Sequence, residues 1–151
     1  MDQAITSKKS NKIIQTKMNF FSITLFETDL LDITKLNRTI QNVKISVIES
    51  SINKNGIKII IVDNNPDSYT WDDNYKIEQK IDKRWIELEP NKDVNFSEIT
   101  YNRDEKNQII FEINWNEDYG ELSSGIYRIG KTVFDNGENK TIYSNEFEII
   151  N

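Results

Sequence analysis

The chain has 151 residues, 36% hydrophobic and 29% charged, with a formal net charge of −6 and neither Cys nor His. Those two absences exclude disulfides, thiol nucleophiles, zinc sites of the usual kind and every Ser-His-Asp or Cys-His arrangement. The acidity lies in residues 43–151, with thirteen basic and twenty-one acidic side chains against six and four in residues 1–42, which argues against nucleic acid and against an anionic membrane surface.

Residues 1–42 read as an N-terminal extension. Lys8, Lys9, Lys12 and Lys17 precede the apolar run 20–26. A basic stretch before an apolar one raises the question of a secretory signal. This run, however, contains Ser22 and Thr24 and meets Glu27 and Asp29 where a small-residue cleavage site would stand. It also falls far short of the roughly 20 apolar residues of a transmembrane helix. With no Cys in the chain there is no thiol for a lipid anchor. From Thr28 to Gln41 the spacing of Leu30, Leu31, Ile33, Leu36 and Ile40 is near-helical, weakened by Thr34, Asn37 and Thr39.

From Val43 the period changes to two. Val43, Ile45 and Val47 alternate with Lys44 and Ser46 as a first strand. Asn53-Lys-Asn-Gly56 is turn chemistry, and Ile57–Val62 is a nearly all-apolar strand suited to the middle of a sheet. Asp63–Ser68 ends it. A hairpin is predicted over Tyr75–Leu88 with its turn at Ile81–Arg84, followed by a short edge strand at Phe96–Tyr101. Ile109, Phe111, Ile113 and Trp115 share one face of the next strand. Asn136-Gly137 favours a tight hairpin between strands at 125–134 and 141–150, with Tyr143, Phe147 and Ile149 on a common face.

The most informative stretch is Tyr119-Gly-Glu-Leu-Ser-Ser-Gly-Ile-Tyr-Arg-Ile-Gly-Lys131. It predicts a structural corner in which Leu122 caps the core edge, Gly125 supplies a tight turn and Tyr127 bonds its hydroxyl back to the backbone. Seven or eight short strands with no convincing helix after residue 42 make this an all-β chain. The expected fold is an immunoglobulin-like antiparallel β-sandwich over 43–151 with the extension 1–42 before it.

Four pieces taken together resemble the bacterial immunoglobulin-like domains of low-GC Gram-positive bacteria. They are Val62-Asp-Asn-Asn-Pro-Asp-Ser-Tyr-Thr-Trp71; Tyr75-Lys-Ile-Glu-Gln-Lys80; Lys83-Arg-Trp-Ile-Glu-Leu88; and Trp115 with Tyr119–Ile129. The resemblance spans 43–150. Ser123 stands where such patterns usually carry Pro after the Leu. It implies a secreted or surface-attached module without enzymatic activity, a binding or spacer module at the cell envelope whose ligand is an unknown protein or polysaccharide. It leaves open what that ligand is, since sandwiches host many unrelated roles.

Candidate chemistry is sparse. Asp63-x-Asn65-x-Asp67 begins like a calcium loop, but Ser68 replaces the required Gly and Asn74 the bidentate Glu, so no metal and no cofactor is expected. The carboxylates at Glu87, Glu89, Glu117, Asp118 and Glu121 read as surface charge and give no catalytic pair. Aromatic rings beside Asp and Asn are the physical basis for stacking on sugars or anchoring a protein. On that ground Tyr69, Trp71 and Tyr75 are the candidate binding residues, with a carbohydrate-binding accessory domain as the alternative function. Edge strands at Val43–Ile48 or Thr141–Ile150 could also pair with a second copy.

Overall fold

The apolar run at Ile57–Val62 lies where its composition points. In the computed structural model, which describes residues 38–94 and 99–151, β1 (Val43–Val47), β2 (Gly56–Asp63) and β5 (Gln108–Asn114) form one antiparallel sheet with β2 in the centre. Ile57, Ile59 and Ile61 point inward and are buried, and each pairs with an inward residue of β5, so the alternation of both strands is in phase. The second sheet has the order β4-β3-β6-β7, from β3 (Lys76–Ile81), β4 (Arg84–Glu87), β6 (Gly125–Asp135) and β7 (Glu138–Tyr143), with β8 (Phe147–Ile149) also paired to β6. Eight strands are thus found among the described residues.

Both predicted hairpin turns are present. Asp82 and Lys83 have φ of 49° and 68°, and Asn136 and Gly137 of 49° and 89°. Two consecutive positive values are what a two-residue connection needs to match strand twist. The predicted 141–150 strand is broken, however. Between Gly130 and Tyr127 β6 takes three residue steps, while the returning chain takes four from Tyr143 to Phe147. One extra residue is a bulge, and it reverses the facing of everything beyond it. Tyr143 therefore lies outside, over Arg128, while Phe147 and Ile149 enter the core.

The bulge also closes an edge. Ser144 bridges to Ile45 in parallel, and Val47 N–H donates to Asn145 Oδ1 at 2.9 Å. The two edges expected to accept a second copy, Val43–Ile48 and Thr141–Ile150, thus touch at Ile45–Val47 and Ser144–Asn145. That contact occupies part of each edge, and β4 and β5 stand at the other ends of the two sheets.

The corner works through Tyr127. Its buried hydroxyl donates to Ser123 O at 2.8 Å, and Leu122 is buried as expected. Gly125 is not the turn. It is the first residue of β6 and has no positive φ, whereas Gly120, closing the one-turn helix α1 (Asn116–Tyr119), has φ 78°. Close approach is what Gly125 allows, since a Cβ there would lie 2.8 Å from Gln79 Nε2. Tyr127→Phe keeps the ring and strands Ser123 O. It is expected to cost about 1 kcal/mol in urea unfolding, with the native sheet signal in circular dichroism unchanged.

Arg38–Asn151 is one compact unit, so the domain begins earlier than the sequence boundary at 43. Thr39 N–H donates to Asn65 Oδ1 at 2.9 Å and Thr39 O accepts from Asn65 Nδ2 at 3.1 Å, which ties the entering chain to a buried amide. Ile40–Asn42 forms a 3-10 turn, not the end of an α-helix. The rest of the expected extension and helix, residues 1–37, and the first half of the edge strand predicted at Phe96–Tyr101, residues 96–98, lie outside the described residues. Of that strand, Tyr101 makes an antiparallel bridge to Trp71.

Candidate functional site

The loop after β2 is built around one carboxylate. Asp63 is 0% exposed. Its Oδ2 accepts from Tyr69 N–H at 2.8 Å, Ser68 Oγ at 3.0 Å and Trp71 Nε1 at 3.1 Å; its Oδ1 accepts from Asn65 Nδ2 at 2.8 Å and Asn65 N–H at 3.1 Å. Burial alone would raise its pKa. The bonds from Tyr69, Asn65 and Trp71 outweigh that and hold it below the usual carboxylate range. Outside the loop, Arg103 donates to the carbonyls of Asp63, Asn65 and Pro66, and Arg38 donates to that of Ser68. The resemblance to the start of a calcium loop is therefore a hydrogen-bond hub whose acceptors are taken by protein donors.

This hub corrects the binding assignment. Tyr69 and Trp71 are 3% and 1% exposed, and their rings meet edge to face at 6.2 Å inside the core. Neither presents a face to a ligand. The cause is electrostatic, because the Trp71 indole N–H and the Tyr69 amide are drawn inward to satisfy Asp63. The Tyr69 hydroxyl reaches Asp135 Oδ1 at 3.0 Å, and burial together with that carboxylate pushes its pKa up to about 12. Tyr75 is different, being only half-buried.

The outer face of the second sheet holds an ordered polar array. The Arg128 guanidinium lies 3.7 Å from the Tyr143 ring centroid and 4.3 Å from that of Trp85, and its Nη2 is 2.6 Å from Glu78 Oε2. Tyr143 donates its hydroxyl to Glu78 Oε1 at 2.8 Å. Charge, ring faces and lone pairs are matched to one another there.

Beside that array is a depression of about 330 Å³, lined by Asn74, Tyr75, Lys76, Glu87, Tyr119 and Thr132 together with Pro90 and Val94. The Tyr75 and Tyr119 rings lie 6.1 Å apart and tilted by 43°. Tyr75 is fixed by its hydroxyl, which donates to Asp118 Oδ2 at 3.2 Å, and Lys76 Nζ pairs with Glu87 Oε2 at 3.0 Å. Burial raises the Tyr119 pKa, and Glu87, Asp118 and Glu89 raise it further. No three His, Cys, Asp or Glu residues are grouped to hold a metal among the described residues.

These two sheets, the corner at Tyr127 and the loop on Asp63 coincide with a single family model. The model described as Bacterial Ig-like domain matches residues 39–148. The chain belongs to this family. No curated protein matches it.

The match to the bacterial Ig-like domain starts at Thr39, where the backbone first bonds to Asn65. Of the three candidate binding residues only Tyr75 lines the depression. Tyr119 is among the ring residues a sugar-binding role would draw on, whereas Lys76, Glu87 and Thr132, which also line it, are not legible as a group because they come from three strands. A period-two signal was there. Lys76 pairs with Gly130, so Lys76 and Thr132 share the outward face. The register that juxtaposes them is not encoded in either segment alone.

Proposed function

We propose that this Ig-like domain is a non-catalytic binding module of the bacterial cell envelope. The observation that supports the reading is the division of labour among polar groups. Asp63, Asp135 and Glu78 are buried and spent on bonds within the fold, while the half-buried rings and exposed polar groups around Tyr75 and Tyr119 form an open depression on a strand scaffold. Catalysis by acid and base needs titratable groups facing a reactant. Recognition needs fixed rings and peripheral polar groups.

The test is cosedimentation of the purified full-length chain with isolated bacterial cell envelopes. Saturable pelleting, with a low-micromolar midpoint as for ordinary recognition, is the expected result. A chain that stays in the supernatant with envelopes before and after protein stripping would overturn the binding role. Pelleting only before stripping would make the ligand a protein.

A further inference from the structure

We infer that β4 is the edge at which two copies of this chain pair, Arg84–Glu87 lying antiparallel against the same strand of a second copy. The inference stands on the sheet edge alone and is independent of the binding reading above.

Three features carry it. The first is open backbone. Leu88 N–H donates to Ile77 O at 2.9 Å, which fixes Gln79–Ile86 and Ile81–Arg84 as the other pairs bonded between β3 and β4. The N–H and C=O groups of Trp85 and Glu87 therefore point away from the sheet, and no backbone bond among the described residues reaches them. The second is apolar surface at the same edge. Ile81 and Ile86 are 46% and 44% exposed although they share the inward side of Tyr127, because β4 is the outermost strand of its sheet.

The third is charge. Over residues 80–89, Lys80, Lys83 and Arg84 stand against Asp82, Glu87 and Glu89, so this edge is balanced on a chain whose net charge is −6. Two acidic copies repel least where each is locally neutral. The other open edge, β5, lacks that balance. Arg103 and Lys106 there face Asp104, Glu105, Glu112, Glu117, Asp118 and Glu121 along the same stretch of chain.

The pattern also selects a register. With Ile86 opposite Ile86 of the second copy, Trp85 and Glu87 each face the other's counterpart and exchange both backbone bonds. The isoleucines then cover each other, and Lys83 comes opposite Glu89, both exposed. Centring the pair on Trp85 would engage Lys83, whose φ of 68° takes it out of the strand. Centring it on Glu87 would oppose two carboxylates. The favoured arrangement is two-fold symmetric and closes on itself, which makes it a dimer and not a fibre. A strand this short buries little, so the dimer is weak.

The experiment is sedimentation velocity of the full chain from about 10 µM to 1 mM, the range suited to a small interface. A concentration-dependent shift from monomer to dimer is expected. Ile86→Lys sets like charges opposite each other and should weaken association at least about tenfold. A second readout fixes the register without depending on that variant. The chain has no Cys, so Ile86→Cys introduces a single thiol. In the proposed pairing its Cα lies about 4.5 Å from that of its counterpart. It should form a disulfide-linked dimer under mild oxidation at least about tenfold faster than Phe134→Cys, which is 65% exposed elsewhere on the same sheet. A monomer at every concentration would overturn the inference. So would a dimer that Ile86→Lys leaves unchanged, or equal cross-linking of the two Cys variants.

Discussion

Asp63→Ala is expected to lower the stability of the domain by at least about 3 kcal/mol, because three of the five donors to this carboxylate lose a buried acceptor at about 1–3 kcal/mol each. These three are the Tyr69 and Asn65 backbone amides and the Trp71 indole, whereas Asn65 Nδ2 and Ser68 Oγ also donate to Thr39 O and Tyr69 O. Water cannot replace the carboxylate freely, since Asp63, Asn65, Tyr69 and Trp71 are all nearly inaccessible. Asp63→Asn should be almost as damaging. It conserves shape but turns one acceptor into a donor that faces other donors. Urea unfolding followed by circular dichroism measures both. Acid gives a second signature. The Asp63 pKa is lowered in the folded chain, so its contribution is present above the unfolded value of 3.8 and lost as the pH falls through the folded value. The margin of the wild type over Asp63→Asn should therefore be constant from pH 5 to 7 and shrink below about pH 4.

The second large effect has the opposite sign. Lys131 is 1% exposed, with Nζ 4.1 Å from the Phe111 ring centroid and 2.5 Å from Asp72 O. Burial pushes its pKa down from 10.5 to about 8, partly offset by Asp72 and Asp73. The unfolded chain then binds the proton more tightly than the folded one. Between pH 8 and 10.5 the unfolded state holds more protons, and stability rises with pH through that window; below it, the cost is on the order of 3 kcal/mol. Above about pH 10 the raised pKa values of Tyr69 and Tyr119 act the other way, so the rise is best read between pH 8 and 10. Lys131→Met fills the same volume without the charge. It should raise stability at pH 7 by about 1–3 kcal/mol and flatten the slope between pH 8 and 10. Urea midpoints at pH 7, 8, 9 and 10 for both chains decide it, and an unchanged slope in Lys131→Met would assign the pH dependence elsewhere.

Much of this was legible from residue types at short range. Alternation located β2 and β5, Asn136-Gly137 its hairpin, and Tyr127 its corner bond, because each depends on neighbours a few positions away. Lys131 was legible in principle, since it shares the inward period of Tyr127, Ile129 and Val133. Long-range matters were not. An Asp at a strand end reads as a solvated turn, and only the folding-back of Trp71 over it makes a buried hub. The extra residue at Ser144–Glu146 carries no local turn signature, yet it moves Tyr143 outside and ties β1 to the returning chain. The depression at Tyr75 and Tyr119 depends on α1 lying against β3 and β4, which no spacing within either segment announces.

The same logic explains why the most conspicuous aromatic loop is scaffold. The Trp71 and Tyr69 rings are buried, drawn inward by polar handles that Asp63 and Asp135 hold. Tyr75 spends its hydroxyl on Asp118 and keeps its ring at the surface depression.

The central claim, a binding module working at the cell envelope, is tested most directly by fractionating native cells and measuring the intact mass of the protein in each fraction. The account predicts that the protein is in the envelope or outside the cell, is accessible to protease added to intact cells, and includes the domain from Arg38 onward. Recovery of the whole protein in the cytosol, protected from that protease, would contradict it.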